Sequence, residues 1–274
     1  RLPTNAELSA VAAGGDAALR TALLNLMTGE HFSRFIMESA NDRLLTSKYA
    51  NGRTPALDLI YEGGRFPYIE SRLAPLQQAV NNASSDAERE AANQAFGFAW
   101  EQPNRALATE PLQLINYVVT RDRPYTEVLT ADYLMVNPFS NDVYNTGINF
   151  SDRNNPDDWR PARIINGYVH GAIPHAGLLT SQMFLARYPS TATNRNRARA
   201  RWAYYFFLNV DIEGMVARSM DPADLADTNN PTLNNASCAV CHELMDPVAG
   251  AFQNFGDNGH YRDAWGGDDA LPDT

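Results

Sequence analysis

Cysteine, lysine and long apolar runs are scarce in this sequence, and each shortage narrows the possible functions. Two of the 274 residues are cysteines, and Lys48 is the one lysine among 22 basic residues. With a formal net charge of −10, the chain lacks the positive charge that neutralises a phosphate backbone, so nucleic acid is not an expected partner. No apolar run reaches the ~18 residues of a membrane-spanning helix, and we expect no membrane span in this chain.

The two ends of the sequence indicate a piece of a longer polypeptide. The first residue is Arg1 rather than methionine, which is typical of a processed or trimmed N-terminus. The final residues, GGDDALPDT, are acidic and end without an obvious helix cap. We therefore expect the chain to belong to a longer protein or to a larger complex.

Helical patterns dominate what is present, and they predict a mainly α fold. Hydrophobic residues make up 44% of the chain, which is enough for a substantial core. Thr4 and Glu7 fit a capping box in front of an alanine- and leucine-rich run. Leu112, Ile115 and Val119 keep helical spacing, whereas strand patterns are few and short. We expect a multi-helix scaffold with long irregular loops.

Composition divides this scaffold into three modules, which we expect to pack as one compact unit. The first covers 1–108 and the second 109–225, because the Thr-Glu-Pro sequence at 109–111 is typical of a helix start. The second module contains a stretch rich in Asn, Asp and Pro over 137–168, which predicts a long irregular loop. The third module covers 226–274.

Both cysteines lie in one Cys-x-x-Cys-His motif, formed by Cys238, Cys241 and His242. At this spacing two thiols near a helix start reach the vinyl groups of one haem and become thioethers, and the following histidine supplies an axial nitrogen. Ser237 or Asn235 is the expected cap of that helix. The motif therefore predicts a C-terminal module that carries covalent haem c. A structural zinc site, a redox dithiol or disulfide, and a chance match are the alternatives.

The far side of the iron needs a ligand from another part of the chain, unless it stays open. Met245 is the last methionine, and it lies three residues after His242, on the same helical face. The distal ligand is therefore expected from an upstream segment or from the short segment after the motif. We favour His175, in a loop before a helix, over Met220 and His260.

Asp246 and Pro247 follow the motif helix closely. Pro247 disfavours helical geometry at Asp246, and so it predicts the end of the helix at that point. A carboxylate this near the motif also predicts a hydrogen bond to His242 that increases the ligand strength of the histidine. Upstream, Arg195, Arg197, Arg199 and Arg201 stand at every second position. They predict a solvated helix face, with one or two arginines paired instead with haem propionates.

A longer pattern after the motif carries a family resemblance. It consists of Asp-Pro, then Gln-Asn-Phe, then Gly-x-aromatic-Arg, and it falls on Asp246, Pro247, Gln253, Asn254, Phe255, Gly259, Tyr261 and Arg262. With the Cys-x-x-Cys-His motif, this resembles the C-terminal haem module of a group of large secreted bacterial proteins. That group is abundant in planctomycetes and myxobacteria and is otherwise catalogued as domains of unknown function. Earlier segments resemble its N-terminal and middle helical modules, while Ala249 and Gly256 depart from its usual glycine and acidic positions.

The resemblance implies a secreted haem protein, and it extends the expected haem site beyond the motif. The implied cofactor-binding residues are Cys238, Cys241, His242, Asp246, Pro247, Phe255, Tyr261 and Arg262. We expect a bacterial c-type cytochrome with one covalent haem, located in the periplasm, on the outer surface or outside the cell. Its expected partners are redox proteins or other cytochrome subunits of a larger assembly.

Two other functions stay open at this point. One is a peroxidase-like haem enzyme with an open or displaceable sixth position, although no catalytic residue is predicted. The other is an assembly protein in which the haem is mainly structural. Calcium is not an expected cofactor, because the acidic residues near the C-terminus do not have EF-hand spacing.

Overall fold

The chain folds into helices joined by loops, with one small sheet. This computed structural model describes residues 2–50, 56, 70–165, 172–191, 193–215, 221–226, 228–257 and 259–261. Its helices are α1 (Asn5–Leu26), α2 (Gly29–Leu44), α3 (Glu70–Asn82), α4 (Asp86–Thr120), α5 (Glu127–Thr130), α6 (Pro138–Tyr144), α7 (Gln182–Arg187), α8 (Arg197–Ala203), α9 (Pro222–Leu225), α10 (Pro231–Asn234) and α11 (Ala236–Ala251). Short 3₁₀ helices cover Thr46–Ala50 and Ile212–Gly214, and a π-helical turn covers Tyr204–Leu208. The prediction of a mainly α fold is confirmed, while the covalent haem module stays a prediction.

The first helix begins as its sequence predicts. The hydroxyl of Thr4 accepts a hydrogen bond from the Glu7 amide at 3.2 Å, and the Glu7 carboxylate accepts one from the Thr4 amide at 2.7 Å. This reciprocal pair is a capping box, which satisfies two backbone donors that the first helical turn leaves without partners. Across the described ranges, no helix is both long and apolar enough to cross a membrane.

Helix α4 is much longer than expected, and it passes through the predicted boundary between residues 108 and 109. Its 35 residues include Pro103 and Pro111, so the prediction of a new helix start at 109–111 is wrong. An interior proline removes one backbone hydrogen bond and destabilises an isolated helix by about 3 kcal/mol. Burial offsets this cost here, because Leu107, Leu112 and Val118 on the same helix are at most 4% exposed.

Composition predicts a long irregular loop over 137–168, but parts of this segment form a helix and a strand. Pro138–Tyr144 forms α6, and the Asn137 side chain caps it by accepting hydrogen bonds from the amides of residues 139 and 140, each at 3.0 Å. Further on, β2 (Arg160–Ala162) pairs antiparallel with β1 (Leu134–Val136). Asparagine followed by proline is thus a helix start here, because Asn suits the N-cap and Pro suits the first turn.

The C-terminal helices pack against the core through aromatic and aliphatic side chains. Phe252 and Phe255, directly after α11, lie in one buried cluster with Phe184 and Leu185 of α7. Leu112 and Val118 of α4 belong to the same cluster. This burial fixes the end of α11 on the helical body, and it holds the helix that carries the Cys-x-x-Cys-His motif in a defined position.

Candidate functional site

Helix α11 presents the whole Cys-x-x-Cys-His motif. Its N-cap is Asn235, one of the two expected caps, and the Asn235 side chain accepts a hydrogen bond from the Ser237 amide at 2.9 Å. At about 100° per residue, Cys238, Cys241 and His242 fall within an arc of about 100° around the helix. All three side chains are partly buried, and both thiols are unpaired.

The helix continues past Pro247 to Ala251, so the prediction that Pro247 ends it is wrong. Pro247 lacks the amide that would bond to the carbonyl of Glu243, and both residues are exposed, so water is able to solvate that carbonyl. Packing of Ala249 and Phe252, at 4% and 5% exposure, stabilises the last turn. As a result Asp246 stays helical, one turn beyond His242.

Asp246 holds one ring nitrogen of His242. His242 Nδ1 lies 3.0 Å from Asp246 Oδ1 and 3.1 Å from Oδ2. The predicted hydrogen bond between these two residues is therefore confirmed. When Nδ1 donates to the carboxylate, neutral imidazole keeps its lone pair on Nε2, which becomes the nitrogen able to bind a metal.

Arg197, on α8, holds the same carboxylate from the other side. Its Nε donates to Oδ1 of Asp246 at 2.7 Å and its Nη2 donates to Oδ2 at 3.0 Å, a bidentate pair. Burial works to raise the pKa of Asp246, but the hydrogen bonds from Arg197 and His242 together hold that pKa below its usual value. The carboxylate is therefore ionised at neutral pH and accepts hydrogen bonds from both neighbours.

A groove of about 810 Å³ runs beside His242. Its described lining includes Arg195, Arg197, Leu233, His242, Asp246 and Gln253. The volume lies in the range of about 300–1,000 Å³ that small-molecule and cofactor sites occupy. Cys238 and Cys241 lie on the neighbouring side of α11, where Cys241 Sγ is 3.5 Å from the carbonyl oxygen of Ile212.

The segment after α11 is fixed by a buried arginine that its sequence context did not single out. Arg199 is fully buried, and it donates hydrogen bonds to the carbonyls of Phe255 and Gly256, each at 2.8 Å. The expectation of a solvated arginine face is therefore wrong for Arg199. Sequence spacing alone gave no signal for these two contacts, because Phe255 and Gly256 lie 56 and 57 residues further along the chain.

Phe255 and Tyr261, two of the implied cofactor-binding residues, pack against each other. Their ring centroids are 5.6 Å apart, and Phe255 is 5% exposed. Between them, Gly259 has a φ of +78°, and a Cβ at this position would come within 2.6 Å of the Cβ of Leu185. Neither aromatic residue is among the described lining of the groove. Their observed role is to fold the chain back on itself, and the implied haem contact stays a prediction, as does that of Arg262, which lies outside the described residues.

The candidate distal ligands do not meet His242 at the groove, as far as the described residues show. His175 lies near Arg163, and burial, with the Arg163 charge as a smaller cause, lowers its pKa to about 4. Its Nε2 is buried and has no hydrogen-bond partner in the described part of the chain. His260 is 3% exposed in the segment after α11, and Met220 lies outside the described residues. The distal ligand therefore stays a prediction.

A site for a separately bound metal ion is not found among the described residues. No group of three or more His, Cys, Asp or Glu side chains is arranged there to hold a metal ion. The donors at α11 instead fit an attached haem: two unpaired thiols and an imidazole with a free Nε2 lie within one arc of the helix.

Comparison with protein families relates the C-terminal part of the chain to a cytochrome-related domain. Residues 175–264 match the model of the PSCyt3 family, described as a protein of unknown function (DUF1588) and found in planctomycetes. The match takes in α7 to α11 and the segment that follows, so it includes Cys238, Cys241 and His242. No curated protein and no solved structure matches the chain.

Proposed function

We propose that the chain is a c-type cytochrome that carries one covalent haem and transfers electrons. Cys238 and Cys241 would attach the haem, and His242 would bind the iron through Nε2. When bound, the haem supplies one-electron cycling between ferric and ferrous iron. The similarity of residues 175–264 to a cytochrome-related family supports this proposal.

Attachment of the haem would be an addition reaction between the two thiols and its two vinyl groups. Cys238 and Cys241 each add across one vinyl double bond, with sulfur bonding to one carbon and hydrogen to its neighbour. No electrons are gained or lost in this addition, so no further oxidant is required. The spacing of three residues places the two sulfur atoms on one side of α11.

The observation that carries the proposal is the state of His242. Its Nδ1 is held by Asp246 at 3.0 Å, which leaves Nε2 as the ligating nitrogen. A histidine on the same arc as two unpaired cysteines, with Nδ1 beside a carboxylate, supports an axial role for its Nε2. Arg195 adds a guanidinium to the adjoining groove, and this group suits pairing with a carboxylate such as a haem propionate.

The test is a pyridine haemochrome assay after denaturing extraction, on the full chain produced together with a haem c maturation system. We expect haem to stay with the wild-type chain and to be lost from the Cys238→Ala/Cys241→Ala variant. His242→Ala should change the visible spectrum of the folded protein, whereas His31→Ala, at an exposed position of α2, should not. A wild-type chain that keeps no haem after extraction would refute the proposal.

The same sample separates electron transfer from the two other functions. A low-spin spectrum that carbon monoxide and peroxide leave unchanged indicates an electron carrier, whereas a high-spin spectrum that responds to both indicates a peroxidase-like enzyme. A haem that exchanges no electrons with small redox mediators indicates a structural group. We place the protein outside the bacterial inner membrane, where haem c is attached, with redox proteins or other cytochrome subunits as its partners.

A further inference from the structure

We propose that Arg197 is a positioning residue that acts through Asp246 to hold His242 in the orientation that directs Nε2 to the iron. The inference rests on the proposed function for the role of Nε2, but the contact between the three side chains does not depend on it. Arg197 lies on α8, and Asp246 and His242 lie on α11, so the arrangement joins two helices.

The geometry of the carboxylate carries this inference. Both oxygens of Asp246 are engaged by Arg197, at 2.7 and 3.0 Å, and both lie within 3.1 Å of His242 Nδ1. The planar guanidinium binds a carboxylate in one orientation only, because its two donors are parallel. Arg197 therefore fixes the plane of the Asp246 carboxylate, and that plane determines where the Nδ1 hydrogen points.

Without Arg197, the pair on α11 has little to hold it. The Asp246 side chain is 37% exposed, and an isolated side-chain pair four residues apart on a helix contributes little to stability. A carboxylate with this much exposure is free to change rotamer and to bond to water instead. The two hydrogen bonds from the Arg197 guanidinium, which lies on a second helix, remove that freedom.

Arg197 is itself held in a rigid frame. Asn196, before it, is 2% exposed, and its amide donates to Ser190 Oγ at 3.0 Å. Arg199, two residues after it, is fully buried and donates to the Asn196 side chain at 2.7 Å. The start of α8 is thus fixed against the segment that follows α7 and, through Arg199, against the segment after α11. A fixed backbone at residue 197 makes its side chain a suitable reference point for Asp246.

Hydrogen exchange of the His242 Nδ1 proton measures this hydrogen bond directly. The proton is followed by NMR in the reduced full chain, with ¹⁵N-labelled histidine. Asp246→Ala should increase its exchange rate at least tenfold, and Arg197→Gln should increase it several-fold, because the carboxylate loses its orientation. In the Asp246→Ala background, Arg197→Gln should have no further effect, since Arg197 acts through the carboxylate.

Arg201→Gln is the matched control. It removes the same charge from the same helix, and the described ionic partners of Arg201 are Asp211 and Glu213 rather than Asp246, so the wild-type exchange rate is expected. The backbone amides of α11 should exchange at wild-type rates in every variant, which separates a change in orientation from a loosened helix. Arg197→Lys keeps the charge but lacks the two parallel donors of the guanidinium, so it should give an intermediate rate. It replaces Arg197→Gln as the test variant if Arg197→Gln does not fold.

Three results would overturn the inference. They are a wild-type rate in Arg197→Gln or in Arg197→Lys, an equal effect of Arg201→Gln, and an undiminished effect of Arg197→Gln in the Asp246→Ala background. The haemochrome assay on the same samples reports separately on the proposed function. A chain without haem in which the predicted order of rates still holds contradicts the cytochrome proposal but supports the positioning of His242 by Arg197 through Asp246.

Discussion

Replacing Arg199 with methionine should destabilise the fold more than most single substitutions. Arg199 is fully buried, and its three nitrogens donate five hydrogen bonds of 2.7 to 3.3 Å. The acceptors are the side chain of Asn196 and the carbonyls of Leu185, Tyr188, Phe255 and Gly256. Methionine has a similar length and no donor, so it fills the space and leaves the carbonyls without this partner.

The expected loss follows from the opposing effects of hydrogen bonding and burial. Hydrogen bonds to a charged group contribute about 1.5–3 kcal/mol each, and the substitution removes them. It also removes the desolvation penalty of the buried guanidinium, which is several kcal/mol and acts in the opposite direction. The difference is the cost of unsatisfied carbonyls, and we expect the free energy of unfolding to fall by about 3–5 kcal/mol. For a chain of this size that corresponds to a melting temperature lower by about 6–20 °C.

Thermal unfolding of the full chain, followed by circular dichroism, measures this effect. Arg89→Met is the matched control, because Arg89 is an exposed residue of α4 whose one described ionic partner, Asp86, is also exposed. Such surface pairs contribute about 0–1 kcal/mol, so the control should melt within about 2 °C of the wild type. Equal melting temperatures for Arg199→Met and the control would show that the five hydrogen bonds do not hold the C-terminal segment.

Three further substitutions test other parts of the structure. Burial raises the pKa of Glu110 to about 8, against the opposing hydrogen bond from Tyr144, so the folded state holds a proton that the unfolded state releases above a pKa of 4.5. The contribution of protonated Glu110 to stability is complete below pH 4.5 and is lost as the pH rises towards 8, by about 1.4 kcal/mol per pH unit. Glu110→Gln should abolish this slope when the free energy of unfolding is measured in urea at pH 5, 6 and 7. Pro247→Ala should raise the free energy of unfolding by about 1–3 kcal/mol by restoring a hydrogen bond in α11, and an unchanged urea midpoint would contradict this. Asn235→Ala should lower it by about 1 kcal/mol through loss of the N-cap, whereas retention of full stability would show that the cap is dispensable.

Local sequence patterns predicted the features that depend on neighbouring residues. The capping box of Thr4, the Asn235 cap and the contact between Asp246 and His242 each join residues at most four positions apart. Such contacts follow from helical geometry alone, since residues three or four apart lie on the same face. The mainly α character was predictable for the same reason, because it depends on the spacing of apolar residues.

Features that depend on packing were predicted less well. Pro247 and Pro111 both indicated helix boundaries, yet each lies inside a helix. The intrinsic preference of proline is a local effect, and burial of the surrounding helix offsets it. The contacts of Arg197 with Asp246 and of Arg199 with the carbonyls of Phe255 and Gly256 were also hidden from the sequence, because these partners lie at least 49 residues away along the chain. A distal ligand would be a contact of this long-range kind, which explains why three candidates stayed open.

The alternating arginines have a structural reason that connects the scaffold to the site. Residues two apart on a helix differ by about 200° in direction, so they point to opposite sides. Arg197 accordingly faces α11 and binds Asp246, while Arg199 faces the interior and binds the carbonyls of Phe255 and Gly256. One short helix thus fixes both the carboxylate that orients His242 and the segment that follows the motif helix. The helical body ahead of Cys238 therefore acts on the proposed ligand directly, because one of its own side chains determines how the histidine is held.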